Sequence, residues 1–233
     1  MKKLLAVLLA GIMLLSFASC GKDNDTTDKD TFTVGICQLT KHTALDAATQ
    51  GFIDALKAEF GDKVNILNEN ASGDAQTCTT IVNNFVNKNV DLIMANATPA
   101  LQAAVNGTDT IPILGTSVTE YGTALGIKNF SGTVGGNVSG TSDLAPLDQQ
   151  ANMITELFPS AKTVAILFCS AEANSRYQVD VVKAALQSKG LAVDECSFTE
   201  SNDVNAAATR AAGSDVIYIP TDNKAADCAT LIA

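Results

Sequence analysis

DLIMANATPALQ (residues 91–102) and DVIYIPTDNKAA (residues 215–226) are two versions of one pattern, and together they decide the fold. Each opens on an aspartate, runs through four apolar residues, breaks at small polar residues and resumes with helix formers. An apolar run this short, bounded by turn signals and followed by a helical stretch, reads as a strand of a parallel sheet buried on both faces. Working outward, TVAILFCS (163–170) answers FTVGICQL (32–39), and VVKAALQSKG (181–190) answers FIDALKAEFG (52–61). The offset between the copies drifts slowly, from 130 residues at Ile36 and Ile166 to 124 at Asp91 and Asp215. Three blocks in the same order argue for an internal repeat. Chance likeness between two doubly wound segments is the competing account.

The fold class expected is therefore α/β, with two doubly wound βαβ lobes at 32–141 and 142–233. In the first lobe strands are expected at 32–39, 64–67, 91–95, 111–115 and 124–128. Leu45, Ala48, Phe52, Leu56 and Phe60 fall on one face of its first helix, Gly61 closes that helix, and Asp74 caps the next. The glycine-rich stretch Gly132, Gly135, Gly136 and Gly140 leads into a joint near 139–146, after which a new helix starts at Leu147. The second lobe offers strands only at 163–168, 191–197 and 215–219. Its last helix, from Asn223, reaches Ala233 without a glycine, proline or basic closing turn. Two strands are thus missing from the repeat, and the reading expects a second lobe truncated at its C-terminus.

Ahead of the first strand, MKKLLAVLLAGIMLLSFASC (1–20) has a basic start, a 15-residue apolar or small core from Leu4 to Ala18, and Cys20 after Phe17-Ala18-Ser19. It reads as an export signal with a lipoprotein-type cleavage box, so Cys20 is the expected lipidation site. A membrane span wants roughly 20 apolar residues, which the run does not reach. GKDNDTTDKDT (21–31) has no apolar residue with which to join a core and reads as a flexible tether. The expected location is the extracytoplasmic face of a membrane, held by lipid.

Removing residues 1–19 takes away two lysines, leaving 13 basic against 25 acidic residues and a net charge of −12. An acidic chain is a poor partner for nucleic acid, whose affinity comes largely from Lys and Arg on phosphates. Cys37, Cys78, Cys169, Cys196 and Cys228 are widely spaced and show no CxxC pair, so buried thiols are favoured over a disulfide framework. Neither a metal nor a cofactor is expected. His42 is the one histidine, HExxH and GxSxG are absent, and the glycines of 132–140 lack both the GxGxxG register and a Walker lysine. The chain is therefore read as a binder, not an enzyme.

Ligands of parallel α/β sheets collect beyond the carboxyl ends of the strands, beside helix N-termini. The loops at that position carry His42-Thr43, Ala97-Thr98-Pro99, Thr116-Ser117-Val118-Thr119, Ser170 to Ser175 and Thr221-Asp222-Asn223. Hydroxyls and backbone N–H groups suit a carboxylate, and Asp222, Glu172 or Asp143 could take an ammonium, which describes a zwitterion site. Each of these residue types is also favoured as a helix N-cap, so taken singly they specify little.

In order along the chain, HTALDAATQGFIDAL, NENASGDAQT, DLIMANATPALQAA, ILGTSVTEY, NVSGTSD, FCSAEANS and IPTDN resemble the ABC-transporter substrate-binding lipoproteins of periplasmic-binding-protein type I, a family with tryptophan- and tyrosine-binding members. The resemblance covers nearly all of 32–233. It implies a two-lobed clamp that closes over a small-molecule solute and hands it to an ABC permease, with members running about a hundred residues further. Carried over residue by residue, it implies a ligand site of His42, Thr98, Thr116, Ser117, Asp143, Ser170, Glu172, Asn174, Asp222 and Asn223, with Asp222 first choice for the ammonium. Tyr121 or Phe130 could line a side-chain pocket, although such aromatics more often pack. The sequence departs from the family at Thr43, where proline is common, and at Glu120-Tyr121, where Asp-Pro is common, which leaves the solute open. An aromatic or other apolar amino acid is the leading expectation. A sugar or nucleoside on the same fold, or an extracytoplasmic sensor or enzyme domain, are the alternatives.

Overall fold

The computed structural model describes residues 31–233; the signal, Cys20 and all but the last residue of the tether lie outside them. The N-terminal half runs β1 (Phe32–Gln38), α1 (Thr43–Phe60), β2 (Val64–Asn70), α2 (Ala75–Asn87), β3 (Leu92–Asn96), α3 (Thr98–Gly107), β4 (Ile113–Val118), α4 (Tyr121–Leu125) and β5 (Val138–Ser142). The C-terminal half runs α5 (Leu147–Leu157), β6 (Thr163–Cys169), α6 (Ala173–Ser188), β7 (Ala192–Phe198), α7 (Val204–Ala211), β8 (Val216–Tyr218), α8 (Asn223–Asp227) and α9 (Ala229–Ile232). Two sheets result, in the orders β2-β1-β3-β4-β5 and β7-β6-β8, and their paired strands are all parallel. The repeat is real in three dimensions. β1 lies between β2 and β3 as β6 lies between β7 and β8.

Both central strands are buried along almost their whole length because helices cover both faces of each sheet. β2 behaves differently: its end, Asn68-Glu69-Asn70, is polar and exposed, as a strand with one neighbour tolerates. That is why the apolar run ends at Leu67 while the strand continues to Asn70. The buried clusters respect the halves. Cys37, Phe85, Leu101 and Ile113 share one, Val34, Ile53 and Met94 another, while Ile166, Phe168 and Leu186, and Leu167, Phe198 and Val204, form the clusters of the second sheet. Asp74 caps α2 as expected, its carboxylate accepting from Thr77 N at 2.5 Å. Gly61 takes φ 54° at the end of α1. All five described cysteines are buried and unbridged.

Two expectations fail at the edge of the first sheet. Residues 124–128 are not a strand: Glu120 accepts from Gly122 N (2.8 Å) and Thr123 N (2.6 Å), caps the short helix α4, and Gly126 ends it in the left-handed region. The fifth strand is instead Val138–Ser142, inside the stretch read as a glycine-rich joint. Its glycine has a packing reason. Gly140 pairs with Gly115 across the sheet, and a side chain on Gly140 would collide with the Gly115 carbonyl and with the Tyr121 hydroxyl wedged against both. Tyr121 donates to Thr141 O at 3.1 Å, and burial with the nearby Asp143 charge pushes its phenol up to about 12. It is a packing residue. Phe130 also packs on this core, so neither aromatic lines the main cavity.

Candidate functional site

The C-terminal ends of both sheets face a cavity of about 560 Å³, within the range of small-molecule sites. Its polar wall is Thr40, His42, Ser117, Thr119, Asp143, Asn174, Thr221, Asp222 and Asn223, and its apolar wall is Ala44, Leu45, Ile219, Pro220, Ala225, Ala226, Ala229 and Ile232, with Ala233 at one edge.

A buried polar network fixes the loop between β1 and α1. Gln38 Nε2 donates to Thr40 O (2.7 Å) and Asp46 Oδ1 (2.6 Å), and Thr49 Oγ1 donates to Gln38 Oε1 (2.6 Å). Asn96 Nδ2, at the end of β3, donates to Leu45 O (2.8 Å) and Thr49 Oγ1 (2.9 Å). The loop so held presents His42, whose Nδ1 accepts from Ala44 N at 3.3 Å as the cap of α1. Ser117 reaches the cavity by a different device. The pairing of β4 with β5 slips between Gly115 and Val118, and Ser117 sits at φ 53°, a conformation that non-glycine residues rarely adopt.

The second half has its own network. Glu172 is 8% exposed and takes four donors: Asn174 Nδ2 (3.0 Å), Asn223 N (3.1 Å) and Asn223 Nδ2 (2.8 Å) on Oε2, and Lys224 N (2.9 Å) on Oε1. Desolvation and the neighbouring Asp222 charge raise its pKa, against the pull of those donors. Asp222 accepts from Cys169 N (2.6 Å) and Ala225 N (2.7 Å), one on each oxygen, which ties the end of β6 to the start of α8. Gln178 clamps Thr221 from both sides, Nε2 donating to its carbonyl (2.8 Å) and Oε1 accepting its N–H (3.1 Å). Asn174 is 4% exposed; its amide nitrogen is committed to Glu172 and to Thr221 O (3.2 Å), and its Oδ1 is buried without a hydrogen-bond partner.

Six of the ten residues named from sequence meet at the cavity: His42, Ser117, Asp143, Asn174, Asp222 and Asn223. Four do not. Thr98 is buried at the start of α3, and Thr116 lines a separate groove with Met94 and Gly140. Ser170 Oγ turns to Phe198 O (3.2 Å), and Glu172 stands behind the wall as a brace for α8. Leu45, Ile219, Pro220 and the alanines of α8 and α9 complete the wall unannounced, because apolar residues carry no chemical signature in sequence that separates a cavity wall from a core.

Two parallel sheets with the carboxyl ends of their strands on one cavity have the architecture of periplasmic-binding-protein type I. A leucine-binding protein from Thermotoga maritima, 15% identical with a TM-score of 0.61 over 81% of this chain and 55% of that one, shares the fold. The chain belongs to the ABC transporter substrate binding protein family, whose model matches residues 33–232. It is 36% identical to the tyrosine-binding protein of Clostridioides difficile, over 95% of this chain and 68% of that protein. A Streptococcus pneumonia domain in complex with L-Trp superimposes with a TM-score of 0.81 at 32% identity, covering 87% of this chain and 69% of that one. The ligand-free, open structure of a Clostridium difficile substrate-binding protein with adhesive properties is more similar in sequence, at 38%, yet superimposes at only 0.60 over 87% and 70%.

Proposed function

We propose that the cavity captures an apolar or aromatic L-amino acid, its ammonium received by Asn174 Oδ1, and that the chain delivers this solute to an ABC permease. The observation that carries the reading is Asn174, a residue of the cavity wall whose buried Oδ1 has no hydrogen-bond partner. A buried acceptor without a donor costs about 1–3 kcal/mol, which a ligand N–H or ammonium would recover. The hydrogen bonds to Glu172 and Thr221 hold the amide with its oxygen as the remaining acceptor. Asp222 stays a second candidate for the ammonium, since each of its oxygens serves one backbone N–H and keeps a further lone pair. The hydroxyls of Ser117 and Thr119 suit the solute carboxylate, and the alanine, isoleucine and proline wall suits an apolar side chain. The tyrosine- and tryptophan-binding relatives support this class of solute. His42 Nδ1 is engaged as a helix cap, which favours a binder over an enzyme.

The better superposition on the L-Trp complex than on the open relative supports a closed arrangement of the two halves. The signal ending at Cys20 supports lipid tethering at the outer face of the membrane, where a permease is within reach. Thermal shifts and calorimetry with each L-amino acid test the solute. L-tyrosine or L-tryptophan should raise the melting temperature, and Asn174→Leu should weaken binding about tenfold or more, ~1.4 kcal/mol. A flat response to every amino acid refutes the reading.

A further inference from the structure

At the edge of the cavity, where Thr40 belongs to its wall, two hydrogen bonds join the halves at one spot. Thr40 Oγ1, in the loop after β1, donates to Asp227 Oδ1 at 3.1 Å, and Lys224 Nζ donates to the Gly73 carbonyl at 3.2 Å. Lys224 and Asp227 are three residues apart on α8 and so share one of its faces. Neither borders the cavity, whereas Asn223, Ala225 and Ala226 of the same helix do. Their counterpart is the turn between β2 and α2. Gly73 there takes φ 80°, and a Cβ on it would come within 3.1 Å of Asp227 Oδ2 and 3.8 Å of Lys224 Nζ. The Lys224 ammonium also acts on Asp74, whose carboxyl is held low first by its bonds to Thr77 and further by this charge. Glu172 holds the Lys224 backbone from below, so the contact stands on a rigid base.

We infer that Lys224 and Asp227 are a closing latch: by gripping Gly73 and Thr40 they hold the halves together and set solute affinity without touching the solute. This rests on reading the cavity as a solute site that closes. Apparent affinity scales with the fraction of molecules in the binding-competent state, so loosening the latch weakens binding even though the cavity keeps every contact. The arrangement also makes Gly73 a sensitive position, because any side chain pushes against the Asp227 carboxylate.

The test is the full chain carrying Lys224→Met with Asp227→Asn, and separately Gly73→Ala, each checked for folding by circular dichroism. Ligand-free small-angle X-ray scattering should show a larger radius of gyration for both variants than for the wild type. Calorimetry with L-tyrosine and L-tryptophan should show a Kd raised about tenfold in the double variant. Should the double variant fail to fold, the milder Gly73→Ala decides the same two readouts. Scattering that matches the wild type overturns the latch, whatever the wild type binds. Opening of the variants alongside a wild type that responds to no amino acid sustains the latch and sinks the solute reading instead.

Discussion

At the ends of β1 and β3 the buried polar groups are the amides of Gln38 and Asn96 with the Thr49 hydroxyl, neutral themselves and linked to one half-buried carboxylate, Asp46. At the matching ends of β6 and β8 they are the carboxyls of Glu172 and Asp222 with the amides of Asn174 and Gln178. The repeat gives both halves the same task, which is to satisfy loop backbone where a parallel sheet stops. The first half does it with groups that burial penalises mildly. The second uses carboxylates, which burial penalises heavily but which can accept several N–H bonds at once and so fasten α8 to the end of β6. The difference places rigidity where the cavity wall is a helix of five residues, too short to hold itself.

Replacing the second brace should hurt most. Glu172→Leu strands the N–H groups of Asn223 and Lys224 and the Asn174 amide, and should lower stability by about 3–4 kcal/mol in urea unfolding. Gln38→Leu strands the Thr40 carbonyl, one Asp46 oxygen and the Thr49 hydroxyl, and about 2 kcal/mol is expected in the same experiment. Equal losses in the two variants would erase the asymmetry drawn above. The smallest effect is in pH. Because its folded pKa is raised above the ordinary 4.5, the Glu172 contribution is fully present below that value and is lost as pH rises through the folded pKa. The stability gap between wild type and Glu172→Gln should therefore shrink from pH 4 to pH 7, while the Gln38→Leu gap stays level. Glu195 runs the opposite way: the Arg176 and Lys183 hydrogen bonds hold it low, so its contribution is present above 4.5 and is lost as pH falls through its folded pKa. Thermal melts across pH 3 to 7 read both.

The two central strands were legible because strands buried on both faces of a parallel sheet are mostly apolar, as FTVGICQ and TVAILFC are. Val138-Ser139-Gly140-Thr141-Ser142 could not be seen, since a strand at the sheet edge needs no apolar run and its glycine looks like a linker. Helix α4 was hidden for a related reason: its cap is a glutamate, a residue type seldom read as a start signal. In the site, the residue types after each strand were readable but not their directions. Asn174 and Glu172 are two residues apart on the same turn, and one borders the cavity while the other braces α8 from behind.

Helix α8 interleaves cavity residues with contacts to the N-terminal half, so a substitution there bears on both. A lineage or an engineer re-aiming the cavity through Asn223, Ala225 or Ala226 moves Lys224 and Asp227 with it. Selectivity and tightness are then inherited as one package, and new preferences are more readily evolved from the opposite wall, at Ser117 and Thr119, where the grip is not at stake.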